Sequence, residues 1–226
     1  MTTRRSLRWV AGGIACALIA VGMRSVDAQQ GAKAGEWRTY GGDLGNSKYS
    51  PLDQINKDNF STLKLAWRWK SADGFISTAL PRGGEVWASS KVVFDRLNKE
   101  DPKRWREGQP PFVANFKATP LMAGGKLYLN TPTSIGAAVD ARTGETVWIY
   151  NPKSYEAGTT TMSARWNQRG VAYWTDGTEE RIFWGTGDGY LVAADAKTGF
   201  PVDSFGDHGR VDLMRGLPSA VRGARD

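Results

Sequence analysis

The chain has 226 residues and a formal net charge of +7, with 10 Trp and 27 Gly but only one Cys (Cys16) and one His (His208). Single cysteine and histidine residues exclude a disulfide framework, a cysteine metal site and a multi-histidine metal centre. The length can bury one sizeable core or two small ones, and a charge spread along the chain reads as solubility rather than a nucleic-acid footprint.

Residues 1–28 read as a signal peptide. Arg4, Arg5 and Arg8 precede an apolar run from Trp9 to Met23, and Val26-Asp27-Ala28 offers small residues to a signal peptidase. The run is about 15 residues against ~20 for a membrane span, which favours cleavage over a retained anchor. A periplasmic protein is expected, with peripheral membrane association compatible.

Gly41-Gly42-Asp43 and Gly45-Asn46-Ser47 are turn clusters. Leu63, Leu65, Trp67 and Trp69 then alternate with Lys64, Ala66 and Arg68, the period of a half-buried strand. It has no neighbouring hairpin partner, so its partners lie far along the chain. Residues 71–115 form an irregular insertion rich in Gly, Pro and charge, with a short helix expected over Val92 to Asn98.

From Ala118 the rhythm is regular. Strands are predicted over Thr119 to Met122, Lys126 to Asn130, Ser134 to Asp140 and Thr146 to Tyr150. A second set follows at Gly170 to Trp174, Arg181 to Gly185, Tyr190 to Asp195 and, more weakly, near Val202. The hairpin AVDARTGETVW (Ala138 to Trp148) recurs as AADAKTGFPVD (Ala193 to Asp203). Four short antiparallel strands per unit of about 50 residues is the sequence form of a propeller blade.

The fold class is therefore all-β, with four-stranded antiparallel blades at about 116–151 and 169–205 within residues 29–226. A propeller closes with about four to eight blades. This chain is thus expected to be the N-terminal part of an open ring, with Gly206 to Asp226 closing nothing.

Several tempting features have plainer readings. Gly185-Thr186-Gly187-Asp188-Gly189 precedes a strand, not a helix, and is a hairpin turn rather than a dinucleotide loop. Asp176-Gly177 with Glu179-Glu180 is an exposed hairpin tip, and His208 a turn residue. The aromatic residues at strand spacing pack between blades rather than stack on bases or sugars.

AVDARTGETVW resembles the tryptophan-docking repeat of the quinoprotein dehydrogenases, which use pyrroloquinoline quinone (PQQ). WRTYGGDLGNSKYSPLDQINKDNFSTLKLAWRW resembles their opening, and FKATPLMAGGKLYLNTP, NQRGVAYW and GDGYLVAADAKTG continue the match in order. The resemblance covers most of residues 36–215. It implies a partial eight-bladed β-propeller with PQQ and Ca²⁺ on the axis of the complete ring. It also implies that the N-terminal strand completes the last blade, and that Trp148 packs on the neighbouring blade between an Ala and the turn Gly. Asp203 replaces the second docking Trp, and FGDHGRVDL is nearer the glucose-dehydrogenase-like members.

Residue by residue, the resemblance places Arg169 against PQQ, where a guanidinium fork suits carboxylates and quinone oxygens. It places Lys117 near the quinone, where some members carry Glu. Ser163 and Ala164 stand in place of a vicinal cysteine pair, against the methanol/ethanol subgroup, and Trp174 stands where membrane glucose dehydrogenases have His. The catalytic aspartate and Ca²⁺ ligands are expected beyond residue 226, so no catalytic or metal-binding residue is assigned. The implied activity is oxidation of a sugar or alcohol, with electrons passed to a quinone or cytochrome respiratory acceptor. The alternative is a non-catalytic PQQ-like propeller serving as a cell-envelope binding or assembly scaffold.

Overall fold

Gly124 and Gly125 take φ values of 55° and 73°, the left-handed pair that a two-residue antiparallel hairpin demands. They join β1 (Leu121–Ala123) to β2 (Lys126–Asn130), which pairs with β3 (Gly136–Asp140) and through it with β4 (Thr146–Tyr150). A second sheet repeats that order with β5 (Ala172–Thr175), β6 (Glu180–Gly185), β7 (Tyr190–Asp195) and β8 (Arg210–Asp212). These elements come from a computed structural model that describes residues 32, 35–71, 73, 99–102, 116–157 and 168–218. No helix among the described residues is long and apolar enough to cross a membrane. The expected leader, the helix at Val92 to Asn98 and the Ser163-Ala164 pair lie outside the described residues.

The β3–β4 turn and the turn that follows β7 are built alike. The Asp140 carboxylate accepts the N–H groups of Arg142 (2.9 Å) and Thr143 (2.8 Å), and Gly144 closes the turn at φ 76°. Asp195 does the same with Lys197 (3.0 Å) and Thr198 (2.8 Å), with Gly199 at φ 74°. An Asp that bonds the backbone two and three residues on, followed by Gly, fixes the reversal locally.

Strand alternation then divides the first sheet between two cores. Tyr128, Ala138 and Trp148 face Ile182, Trp184, Val192, Ala194 and Ala196 of the second sheet. Leu129, Ala137 and Val139 face away from it, covered by Trp67, Trp69 and Leu127. The near-continuous burial of β3 requires its small side chains. A Cβ on Gly136 would stand 2.6 Å from the Trp184 ring.

Trp148 docks as the resemblance implies. Its Nε1 donates to the Ala196 carbonyl at 3.0 Å, and its ring lies where a Cβ on Gly199 would be, 2.5 Å away. Trp67 repeats the contact one sheet earlier, donating to the Ala141 carbonyl at 3.1 Å with its ring 2.5 Å from the Cβ position of Gly144. Trp69 Nε1 adds a bond to Thr146 Oγ1 at 2.9 Å.

Three expectations are corrected. Leu63 to Trp69 forms no hydrogen-bonded strand; Leu63 and Leu65 are exposed, and only the two indoles engage the first sheet. The fourth strand of the second sheet is β8, not a segment near Val202. Pro201 makes one bridge to Ala194, then left-handed turns at Gly206, His208 and Gly209 carry the chain out and back to pair with β7. Gly206 to Asp212 therefore completes a sheet instead of closing nothing. β1 also starts at Leu121 rather than Thr119, because Pro120 has no N–H to donate and Thr119 pairs elsewhere. The Asp176 tip, the Thr186–Gly189 reversal and the His208 turn are as expected.

Candidate functional site

One end of the two sheets gathers the starts of β1 and β5 and the β2–β3 and β6–β7 loops. The β2–β3 loop, Thr131-Pro132-Thr133-Ser134, is fully buried despite its polarity. Burial is tolerated because its groups are bonded. Thr131 N donates to the Ile135 carbonyl (2.8 Å), Ser134 N to the Thr131 carbonyl (2.9 Å), and Ser154 Oγ to the Thr133 carbonyl (3.1 Å). Ser134 pays a strained left-handed φ of 72° for its place.

Asp73 reaches this loop from the start of the insertion. Its Oδ1 accepts the hydroxyls of Thr131 (2.6 Å) and Thr133, while Oδ2 is buried with no hydrogen-bond partner. Burial pushes the Asp73 carboxyl above its ordinary value, and the two hydroxyls offset only part of that rise.

Lys117 and Arg169 are brought to the same end. Thr119, two residues after Lys117, donates its N–H to the Arg169 carbonyl at 3.1 Å and forms a parallel bridge with Gly170. Gly170 lies against it at φ 143°, and an added Cβ would stand 2.9 Å from the Thr119 carbonyl oxygen. Both cationic residues are exposed, and no carboxylate among the described residues pairs with either.

Behind Arg169, Gln168 accepts from Asn130 Nδ2 (3.3 Å) and donates to Ser134 Oγ (3.0 Å), which also accepts Gly187 N (3.0 Å). On the β6–β7 loop the Thr186 hydroxyl donates to Asp188. Trp174 stands apart, exposed on β5 beneath the Arg181 guanidinium toward the Asp176 tip.

Reading the sequence picks out Lys117 and Arg169 but misses Gln168, Ser134, Asn130 and Asp73. One signal was available: Asn130, Thr131, Thr133 and Ser134 put four polar side chains within five residues between two apolar strands, and a polar loop inside a core must be bonded by something.

Two exposed cations, without an ion-pair partner among the described residues, at the end of the sheets that carries this buried polar loop can bind a planar polyanion. PQQ is such a group, with carboxylates and an ortho-quinone, so the residues present fit it through Arg169 and Lys117. They do not supply a metal centre, since no group of three or more His, Cys, Asp or Glu suited to a metal occurs among the described residues.

Comparison with known proteins identifies the family. The chain is 33% identical over 210 residues to the dehydrogenase subunit of alcohol dehydrogenase (quinone) from Gluconacetobacter polyoxogenes, covering 87% of this chain and 23% of that protein. It is 28% identical over 214 residues to 1-butanol dehydrogenase (cytochrome c) from Thauera butanivorans, covering 93% and 25%. The crystal structure of quinohemoprotein alcohol dehydrogenase from Comamonas testosteroni superposes with a TM-score of 0.54 at 25% identity, over 85% of this chain and 21% of that one. The chain thus spans about a quarter or less of each relative's length. The β-propeller domain of the PQQ-dependent glucose/ethanol/alcohol dehydrogenases matches residues 37–225, and to that family the chain belongs.

Proposed function

We propose that this chain supplies the first blades of a periplasmic quinoprotein dehydrogenase that oxidises the hydroxyl-bearing carbon of an alcohol or sugar. The observation that supports the reading is that exposed Lys117 and Arg169, without an ion-pair partner among the described residues, lie at the same end of the sheets, their segments joined through the Thr119–Arg169 backbone bond. PQQ, when bound, supplies the two-electron acceptor. Arg169 would hold it through a guanidinium whose paired donors suit carboxylates or quinone oxygens, and Lys117 would add a second positive charge. The packed sheets behind them supply a fixed backbone from which both side chains extend.

The catalytic base and the ligands of a Ca²⁺ ion come, on this reading, from outside the described residues. Electrons pass to a quinone or a cytochrome, the acceptors named for the two relatives above. The leader at residues 1–28 directs export.

The test is reconstitution of the full-length apoprotein with PQQ and Ca²⁺, following dye reduction by a panel of alcohols and sugars. Dehydrogenase activity that depends on added PQQ is expected. A folded protein that binds no PQQ would overturn the reading and leave the cell-envelope scaffold in its place.

A further inference from the structure

We propose that Gln168 is a positioning residue that fixes where Arg169 presents its guanidinium; this rests on Arg169 being a PQQ ligand. Gln168 belongs to the second unit, yet both ends of its amide bond the first. Oε1 accepts from Asn130 Nδ2 at 3.3 Å, and Nε2 donates to Ser134 Oγ at 3.0 Å. Asn130 and Ser134 are both fully buried.

The next residue is tied to the same sheet by its backbone, through the Arg169 carbonyl and Thr119 N. A side-chain clamp and a main-chain clamp on consecutive residues leave the segment little freedom to shift or twist. Gly170 extends the contact by lying directly on Thr119.

The anchor is itself held by further bonds. Ser134 accepts Trp184 Nε1 on its carbonyl at 2.9 Å and Gly187 N on its hydroxyl at 3.0 Å. Four elements therefore meet at one serine: the β2–β3 loop, β6, the β6–β7 loop and the Arg169 segment. A long cationic side chain binds a rigid planar anion well only if its base is held still, because the freedom it loses on binding is then smaller. Both ends of the Gln168 amide are engaged by Asn130 and Ser134, so its effect would pass through Arg169.

The experiment is a double-mutant cycle on the full-length apoprotein, reading PQQ affinity by quenching of tryptophan fluorescence and folding by calorimetry. Arg169→Ala should weaken PQQ binding most. Gln168→Ala should weaken it about tenfold, the loss of two hydrogen bonds' worth of ordering. In the Arg169→Ala background, Gln168→Ala should add less than about twofold, because the residue acts through the arginine.

Ser134→Gly removes the same anchor, and glycine suits its φ of 72°. It should reproduce part of the loss, and it keeps the test alive if Gln168→Ala does not fold. Equal losses from Gln168→Ala in both backgrounds would show a general structural role and overturn the proposal. So would unchanged PQQ affinity in Gln168→Ala or Ser134→Gly alongside a large loss in Arg169→Ala. An Arg169→Ala protein that binds PQQ normally would instead remove Arg169 from the site, a separate failure of the functional reading.

Discussion

Two joints in this molecule use the same parts. Trp148 docks on Ala196 and Gly199; Trp67 docks on Ala141 and Gly144. Indole-to-carbonyl distance and ring-to-glycine approach agree within 0.1 Å (3.0 and 3.1 Å; 2.5 Å in both). What differs is the support behind each ring. Trp148 is carried on a paired strand, is 8% exposed, and lies in one core with Tyr128 and Ile182. Trp67 is half-buried and sits on a segment with no strand pairing. The geometry of the joint is thus set by the receiving turn, while its strength depends on what carries the indole.

The sharpest way to break that comparison is to remove each ring. Trp148→Ala should cost about 3–5 kcal/mol of unfolding free energy and Trp67→Ala roughly half as much. Equal losses in urea unfolding would mean that the supporting strand adds nothing. Next come the glycines. Gly199→Ala forces a side chain into φ 74° and into the Trp148 ring, at roughly 2–3 kcal/mol. Gly144→Ala meets a ring free to give way and should lower the melting temperature less. Smaller again is Trp148→Phe, which keeps an aromatic ring but loses the bond to Ala196, at about 1 kcal/mol.

Titration gives the mildest and most diagnostic contrast. In Asp195 the backbone and hydroxyl bonds from Thr198 and the backbone bond from Lys197 outweigh burial and hold the carboxyl below its ordinary 3.8. Its stabilisation is present above that value and is lost as pH falls through the lowered one. Asp73 is shifted upward by burial. Its contribution is full below 3.8 and is lost as pH rises through the raised value. Asp195→Asn should therefore flatten the acid limb of a stability–pH curve, and Asp73→Asn the limb above 3.8. If both variants altered the same limb, the opposed shifts would be refuted.

The sequence carried local information well and distant information poorly. The Asp-x-x-Thr-Gly turns at Asp140 and Asp195 are written in consecutive residues, so both turns are legible in the sequence. β8 could not, because its register depends on left-handed turns at Gly206, His208 and Gly209 that return the chain after an interruption. Trp67 was correctly placed on an inward face, but its receiving carbonyl lies 74 residues away. Lys117 and Arg169 came from resemblance alone. Nothing in either neighbourhood predicts the Thr119–Arg169 bond that brings them together.

Sequence separation at the two joints carries a consequence of its own. The indole donor and its carbonyl are 74 residues apart at one and 48 at the other, yet the contact is the same. Closing the longer loop costs only about 0.4 kcal/mol more in chain entropy, far below the value of one docked indole. The joint is insensitive to how many residues separate its two halves. Segments between units can be lengthened, shortened or exchanged without retuning the scaffold, provided the turn glycine and the accepting carbonyl stay in place. A docking ring of this kind is a fastener indifferent to the length of the cord between its halves.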